Sequence, residues 1–235
     1  MFSYYGSKSK IVHLYPTPKF DKIIEPFAGS ARYSLRFWQK DILLIDKYPV
    51  IVDVWNYLKN ASERDILGLP KLYKGMDLRQ LNISEIEIKF LGFLAGQGGM
   101  QPRFKVSPRS DFDKLTTPNL YKNIANNLFK IKHWNIKQGD YKDLINENAT
   151  WFIDPPYQFG GEHYKESSKN IDFQELGEWC KSRNGQTIVC ENSKANWLDF
   201  KPICKIQGAA QTFTTEAIWS NHETAFDWQQ RSLFS

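Results

Sequence analysis

The sequence predicts an α/β protein built on a doubly wound, mostly parallel sheet that is interrupted by a mainly helical insert. Three observations carry this expectation. Short apolar runs rich in isoleucine, leucine and valine alternate with helical stretches. Each run stops at a loop holding glycine or an acid, and the carboxyl ends of the strands are where such sheets bind ligands. One interval, from Asp46 to Asp140, exceeds the roughly 30 residues of a strand–helix–strand step by about 60.

Taken in order, Ile23-Ile24-Glu25-Pro26 stops at Phe27-Ala28-Gly29-Ser30, and a helix is expected from Ala31 to Lys40. Ile42-Leu43-Leu44-Ile45 ends at Asp46, and Pro49 suits the first turn of a second helix. The insert follows. Ser84 and Glu87 form a capping-box pair ahead of Ile88, Leu91 and Leu94. Thr117-Pro118 opens another helix, with Leu120, Ile124 and Leu128 at helical spacing. Between these two, residues 96–105 hold too many glycines for a regular helix. Beyond the insert, Trp134-Asn135-Ile136-Lys137 ends at Gly139-Asp140, Thr150-Trp151-Phe152-Ile153 at Asp154-Pro155-Pro156-Tyr157, and Thr187-Ile188-Val189-Cys190 at Glu191-Asn192. This divides the chain into a sheet domain, 1–60 and 133–235, and an inserted domain, 61–132.

Composition limits the function classes. Of 235 residues, 41% are hydrophobic and 24% charged, which excludes wholesale disorder. The net charge is +5, and all of it falls in the insert, where twelve Lys or Arg face seven Asp or Glu. A basic arm of that kind suits phosphates, although a solvated helical surface has the same composition. Aromatic residues reach 15% and serve core packing as well as stacking on flat ligands. Cys180, Cys190 and Cys204 form no CxxC pair, so neither a disulfide framework nor a zinc site is expected. His13, His133, His163 and His222 are scattered and read as surface or packing residues. No apolar run reaches the ~18 residues of a membrane span, and the N-terminus lacks a signal-peptide core. The expectation is a soluble cytoplasmic protein with no membrane partner.

Two loops carry chemistry. Asp154-Pro155-Pro156-Tyr157 is stiffened by its prolines, which also remove two backbone donors. It presents carbonyl oxygens, one carboxylate and one ring, a set suited to a planar group bearing an exocyclic amine. As a bare tetrapeptide it is equally a proline-rich turn. The glycine loop Glu25-Pro26-Phe27-Ala28-Gly29-Ser30-Ala31, followed by Asp46, resembles the spacing at which nucleotide-binding sheets place an acid for ribose hydroxyls. A GxGxxG pattern is missing, which favours a single nucleoside-like ligand over a dinucleotide.

Together these features resemble the D12 class of N6-adenine DNA methyltransferases, relatives of the GATC adenine methylase. Tyr4-Tyr5-Gly6-Ser7-Lys8 is similar to the family's aromatic-x-Gly-x-Lys opening, residues 25–29 to its glycine loop, and Asp46 to its ribose-binding acid. Gly139-Asp140-Tyr141 resembles the acid–aromatic pair near the cofactor's adenine, and residues 154–157 the catalytic tetrapeptide. The order of these motifs is the family's α arrangement, with the insert as target-recognition domain. Two departures stand out. A second glycine that commonly ends the loop is Ala31 here, tolerable if the backbone there is already helical. The insert also has no clear match to the Arg-Tyr-Asn hairpin associated with GATC readers; Arg103-Phe104-Lys105 is a loose substitute.

The resemblance implies a Rossmann-like methyltransferase sheet and S-adenosylmethionine as methyl donor, with S-adenosylhomocysteine as product and no metal. It implies cofactor binding by Tyr4, Gly6, Lys8, Glu25, Phe27, Gly29, Asp46, Asp140, Tyr141 and Asp154, and catalysis by Asp154, Pro155, Pro156 and Tyr157. The substrate would be an adenine flipped out of double-stranded DNA. Gln101, Arg103, Lys105 and Arg109 of the insert are the expected DNA contacts, since Gln and Arg pair bidentately with base edges while Lys meets phosphate or guanine. The expected protein is a monomer in a phage or restriction–modification setting, with a cognate restriction endonuclease as an optional partner. Cytosine N4, RNA and a catalytically silent nucleic-acid-binding module stay open as alternatives. Glu216-Ala217-Ile218-Trp219-Ser220-Asn221 resembles a late strand-and-loop motif of the same family, bordering the target-base pocket; an ordinary amphipathic strand reads the same way.

Overall fold

A computed structural model describes residues 1–2, 4–96, 99–107, 116–207 and 213–222. Among the described residues, seven strands form one sheet: β1 (Lys22–Glu25), β2 (Asp41–Asp46), β3 (Asn135–Gln138), β4 (Ala149–Ile153), β5 (Gly185–Asn192), β6 (Lys201–Gln207) and β7 (Phe213–Ser220). Their order is β3-β2-β1-β4-β5-β7-β6. Strands β1 to β5 pair in parallel, and β7 runs antiparallel to both β5 and β6. The doubly wound, mostly parallel sheet expected from the alternating apolar runs is therefore present. The connections reverse direction between β1 and β4, so the carboxyl ends of these two neighbours flank a crevice, the general ligand position in open α/β sheets.

Alternation along the strands splits the core into two layers. Ile23, Ile42, Leu44, Phe152, Ile188 and Ile218 face one side, while Ile24, Trp151, Ile153 and Val189 face the other. The second layer is covered by α6 (Phe173–Lys181) through Leu176 and Cys180. Trp55, Trp134, Phe90 and Phe93, all fully buried, belong to the first layer.

Helix α2 (Pro49–Asn60) starts with Pro49 in its first turn, as read from the sequence, and buries Ile51, Val54, Trp55 and Leu58. In the insert, α3 (Glu63–Leu67) has a capping box of Ser62 and Asp65. Helix α4 (Glu85–Ala95) has the expected Ser84–Glu87 box, and α5 (Thr116–Ala125) begins beside Thr117-Pro118. Leu72, Leu78, Phe90, Phe93 and Ile124 of the insert join the same apolar cluster as Ile23 and Ile42 of the sheet. Among the described residues, no helix is long and apolar enough to cross a membrane.

The helix expected over 31–40 is shorter. Helix α1 spans Arg32–Arg36 only, and Phe37 leaves helical geometry at φ −114° and ψ 38°. The turn that follows presents the Trp38 carbonyl to the indole N–H of Trp134 at 3.3 Å, a tertiary contact that a continued helix would have consumed. Ala31 is corrected as well. Its backbone is left-handed, φ +43°, not the helical conformation that would make a methyl group costless. A β-carbon in that region crowds the following carbonyl.

Candidate active site

One cleft at the β1/β4 junction encloses about 1250 Å³, its open mouth included. Every residue expected to hold a cofactor lines it: Tyr4, Gly6 and Lys8 from the N-terminal segment, Glu25, Phe27 and Gly29 from the glycine loop, and Asp46, Asp140, Tyr141 and Asp154 from the ends of three strands. Pro156 lines it too.

The glycine loop is held open by backbone bonds. Gly29 sits at φ +44°, and a β-carbon there would come 3.1 Å from the Tyr4 ring. Its N–H donates to Asp46 Oδ2 at 3.0 Å, while Asp46 Oδ1 accepts from Tyr48 N–H at 2.9 Å. Asp46 thus ties the loop to the start of α2, and burial pushes its carboxyl up to about 6. Glu25 is 2% exposed and accepts from the Ser34 N–H at 2.7 Å. That bond serves the first turn of α1, whose N-cap Ala31 has no side chain able to accept one. Burial pushes Glu25 up to about 8, so it is largely protonated at neutral pH.

At the far end of the cleft, Asp140 pairs with Lys47 at 3.1 Å, and the Tyr141 ring packs 5.5 Å from Phe27. The Tyr141 hydroxyl is buried without a hydrogen-bond partner among the described residues. A buried polar atom of that kind beside a cleft fits a polar ligand.

Asp154 follows directly on β4, and Pro155 and Pro156 behind it are buried. Lys8 lies 3.1 Å from Asp154 Oδ1 and donates to the Tyr157 hydroxyl. The Tyr157 hydroxyl donates in turn to Glu216 Oε1 at 2.7 Å, and so does the Tyr15 hydroxyl at 2.7 Å. Burial pushes Asp154 up to about 6, against the pull of Lys8. Burial alone would lower the Lys8 ammonium; Asp154 and Glu216 outweigh it and keep the group charged.

Glu191 and Tyr164 are missing from the sequence-derived site, and Glu216 entered it only through the late motif of residues 216–221. Glu216 is inside β7 and 3% exposed. Glu191, fully buried at the end of β5, accepts from the Gln158 N–H at 2.8 Å and the Trp197 indole N–H at 3.2 Å, anchoring the chain just after Tyr157. Tyr164 packs on Tyr4 and Tyr5 over the opening segment, and its hydroxyl lies 2.5 Å from where a β-carbon on Gly6 would stand. The acid that closes the apolar run of β5 was the available signal for Glu191.

The expected DNA contacts lie apart from the cleft's lining. Gln101, Arg103 and Lys105 are exposed on a non-helical segment, and Arg109 lies outside the described residues. This segment rests on α4, with the Arg103 N–H donating to the Gly92 carbonyl at 3.0 Å, and its backbone at Lys105 forms an isolated antiparallel β-bridge with Asp77. Helix α4 reaches the cleft through Phe93, whose ring packs 5.9 Å from Tyr4. Among the described residues, no cluster of His, Cys, Asp or Glu is arranged to hold a metal ion.

No family model matches the chain, and no curated protein matches it. Among solved structures, it is similar to one titled "Putative methyltransferase yhhF from Escherichia coli", with 10% identity, a TM-score of 0.33, and coverage of 84% of this chain and 74% of that one.

Proposed function

We propose that the chain transfers a methyl group from S-adenosylmethionine to the N6 amine of an adenine in double-stranded DNA. The observation that carries this reading is the position of Asp154: its carboxylate lines the same cleft as the glycine loop, Asp46 and Tyr141. On this reading, the acceptor for the amine and the pocket for the nucleoside share one wall.

The residues fit the cofactor. Asp46 and the Gly29 loop would hold the ribose, Phe27, Asp140 and Tyr141 would flank the adenine, and Tyr4, Gly6 and Lys8 would border the amino-acid end. S-adenosylmethionine, when bound, would supply a methyl group on a sulfonium sulfur that leaves as a neutral thioether, while the accepting amine would shed one proton. The Asp154 carboxylate and the Pro155 carbonyl would accept hydrogen bonds from the amine and turn its lone pair out of the ring. Tyr157, anchored at its hydroxyl, would stack on the base. Extruding that base costs a few kcal/mol. Phosphate contacts from Lys105 would offset part of this, while Gln101 and Arg103 would read base edges.

The test is Asp154→Ala. Methyl transfer from radiolabelled S-adenosylmethionine to DNA should fall by a factor of at least about 1,000, the loss of well over 3 kcal/mol of transition-state stabilisation, with circular dichroism and DNA affinity little changed. Single-turnover transfer at near wild-type rate would overturn the assignment. Identifying the methylated base separates adenine N6 from cytosine N4, and an RNA arm separates the polymers.

A further inference from the structure

Lys8 and Asp154 line the cleft, and a second carboxylate, Glu216, is buried in contact with Lys8. Lys8 Nζ lies 3.1 Å from Asp154 Oδ1 and 3.5 Å from Glu216 Oε1. The other titratable groups that face this cluster are pushed by burial toward their protonated forms, among them Glu191 at the end of β5, to about 7, and Cys204 of β6. Burial pushes Tyr15 and Tyr157 from the N-terminal segment and the catalytic loop, Tyr164 from the loop beyond, and Cys190 from β5 well above their usual values. Glu25 on β1 is pushed up to about 8 by the same cause. The cluster therefore sums to one negative charge, with Glu216 3% exposed.

An unbalanced buried charge is costly. The fold does not need this one, because a glutamine oxygen would accept from the Tyr15 and Tyr157 hydroxyls just as well. The imbalance points to a cation supplied from outside the chain.

We propose that Glu216 sets the charge the site accepts: the Lys8–Asp154–Glu216 cluster is the counter-charge to the cofactor's sulfonium, and it takes up one proton when that charge is gone. This rests on the cofactor reading above. With the sulfonium form bound, ligand and cluster cancel. After transfer the ligand is a neutral thioether, and the proton shed by the amine is kept on an oxygen of Asp154. The buried sum is zero before and after. Asp154, pushed up to about 6 by burial, is within reach of such uptake near neutral pH.

The experiment is calorimetric titration of the full chain at pH 7 with S-adenosylmethionine and, separately, S-adenosylhomocysteine, each in two buffers of different ionisation enthalpy. The thioether should bind with greater proton uptake than the sulfonium form, the difference approaching one proton. Glu216→Gln should abolish that difference and shift the affinity ratio about tenfold toward the thioether, the scale of one charge acting over roughly 10 Å at an effective dielectric near 20. Glu216→Asp, which keeps the charge, should preserve the difference. Equal proton uptake for the two ligands in the wild-type chain overturns the proposal, and this arm decides even if the glutamine variant does not fold. A Glu216→Gln chain that weakens both ligands equally overturns it as well, by making Glu216 a structural support. A wild-type chain that binds neither ligand fails the cofactor reading itself, and the inference falls with it.

Discussion

At the scale of single residues, the site is built by carboxylates doing the work of absent caps. Glu25 accepts the Ser34 N–H that Ala31 cannot, and Asp46 holds the Gly29 and Tyr48 N–H groups together. Ala31 itself stands in the left-handed region with only 2% of its surface exposed, so neither solvent nor a side-chain bond relieves the conformation. Ala31→Gly should therefore stabilise the protein by about 1 kcal/mol, the crowding removed less the extra freedom glycine gains in the unfolded chain. A urea midpoint that stays put or falls would show that the strain is not there. Residue identity made the wall of the cleft legible, since glycine, acid and aromatic positions read directly as loop chemistry. Backbone conformation at Ala31 was not legible, because nothing in its neighbours' identities distinguishes a left-handed turn from the start of a helix.

At the scale of elements, the apolar strands β1, β2, β4 and β5 could be read from sequence because each is a short continuous run closed by a polar loop. Strand β6 could not: Lys201-Pro202-Ile203-Cys204-Lys205 alternates poorly, and its pairing with β7 slips between Pro202 and Cys204. Glu191 and Glu216 were hard to place for a related reason. The two strands that bear them become neighbours only through the antiparallel β5–β7 pairing, which no local pattern announces. The contact between α4 and the segment of residues 99–107 is likewise tertiary. It depends on Gly92, where a β-carbon would come 2.7 Å from the Pro102 β-carbon and 3.0 Å from the Arg103 carbonyl oxygen. Helix propensity alone favours alanine over glycine by about 1 kcal/mol, but here the methyl meets backbone. Gly92→Ala should cost about 1–3 kcal/mol, the usual range for overpacking. It should also weaken DNA binding by displacing Gln101, Arg103 and Lys105, while cofactor affinity is preserved. Filter binding and calorimetry on the same preparation check both; unchanged DNA affinity would detach this segment from the proposed interface.

At the scale of the whole molecule, the cleft concentrates carboxyl groups whose folded state favours the proton. Burial pushes Glu25 to about 8, Glu191 to about 7, and Asp46 and Asp154 to about 6, from ordinary values of 4.5 for glutamate and 3.8 for aspartate. A carboxyl raised on folding binds its proton more tightly in the native chain than in the unfolded one. Stability must then fall as pH rises from about 4 to about 8, the window between the unfolded and folded values. The buried Met1 amine, lowered to about 5 by burial, works in the opposite direction over part of that range. It is one group against four, so the carboxyls decide the sign. The melting temperature should decline from pH 5 to pH 8.5. Glu25→Gln isolates the largest contributor, because the amide oxygen still accepts the Ser34 N–H and no longer titrates. Relative to the wild-type chain, this variant should gain stability steadily between pH 5 and pH 8.5 and melt with a flatter pH profile. Parallel melting curves for the two chains across that range would mean that Glu25 is not the buried, protonated cap of α1.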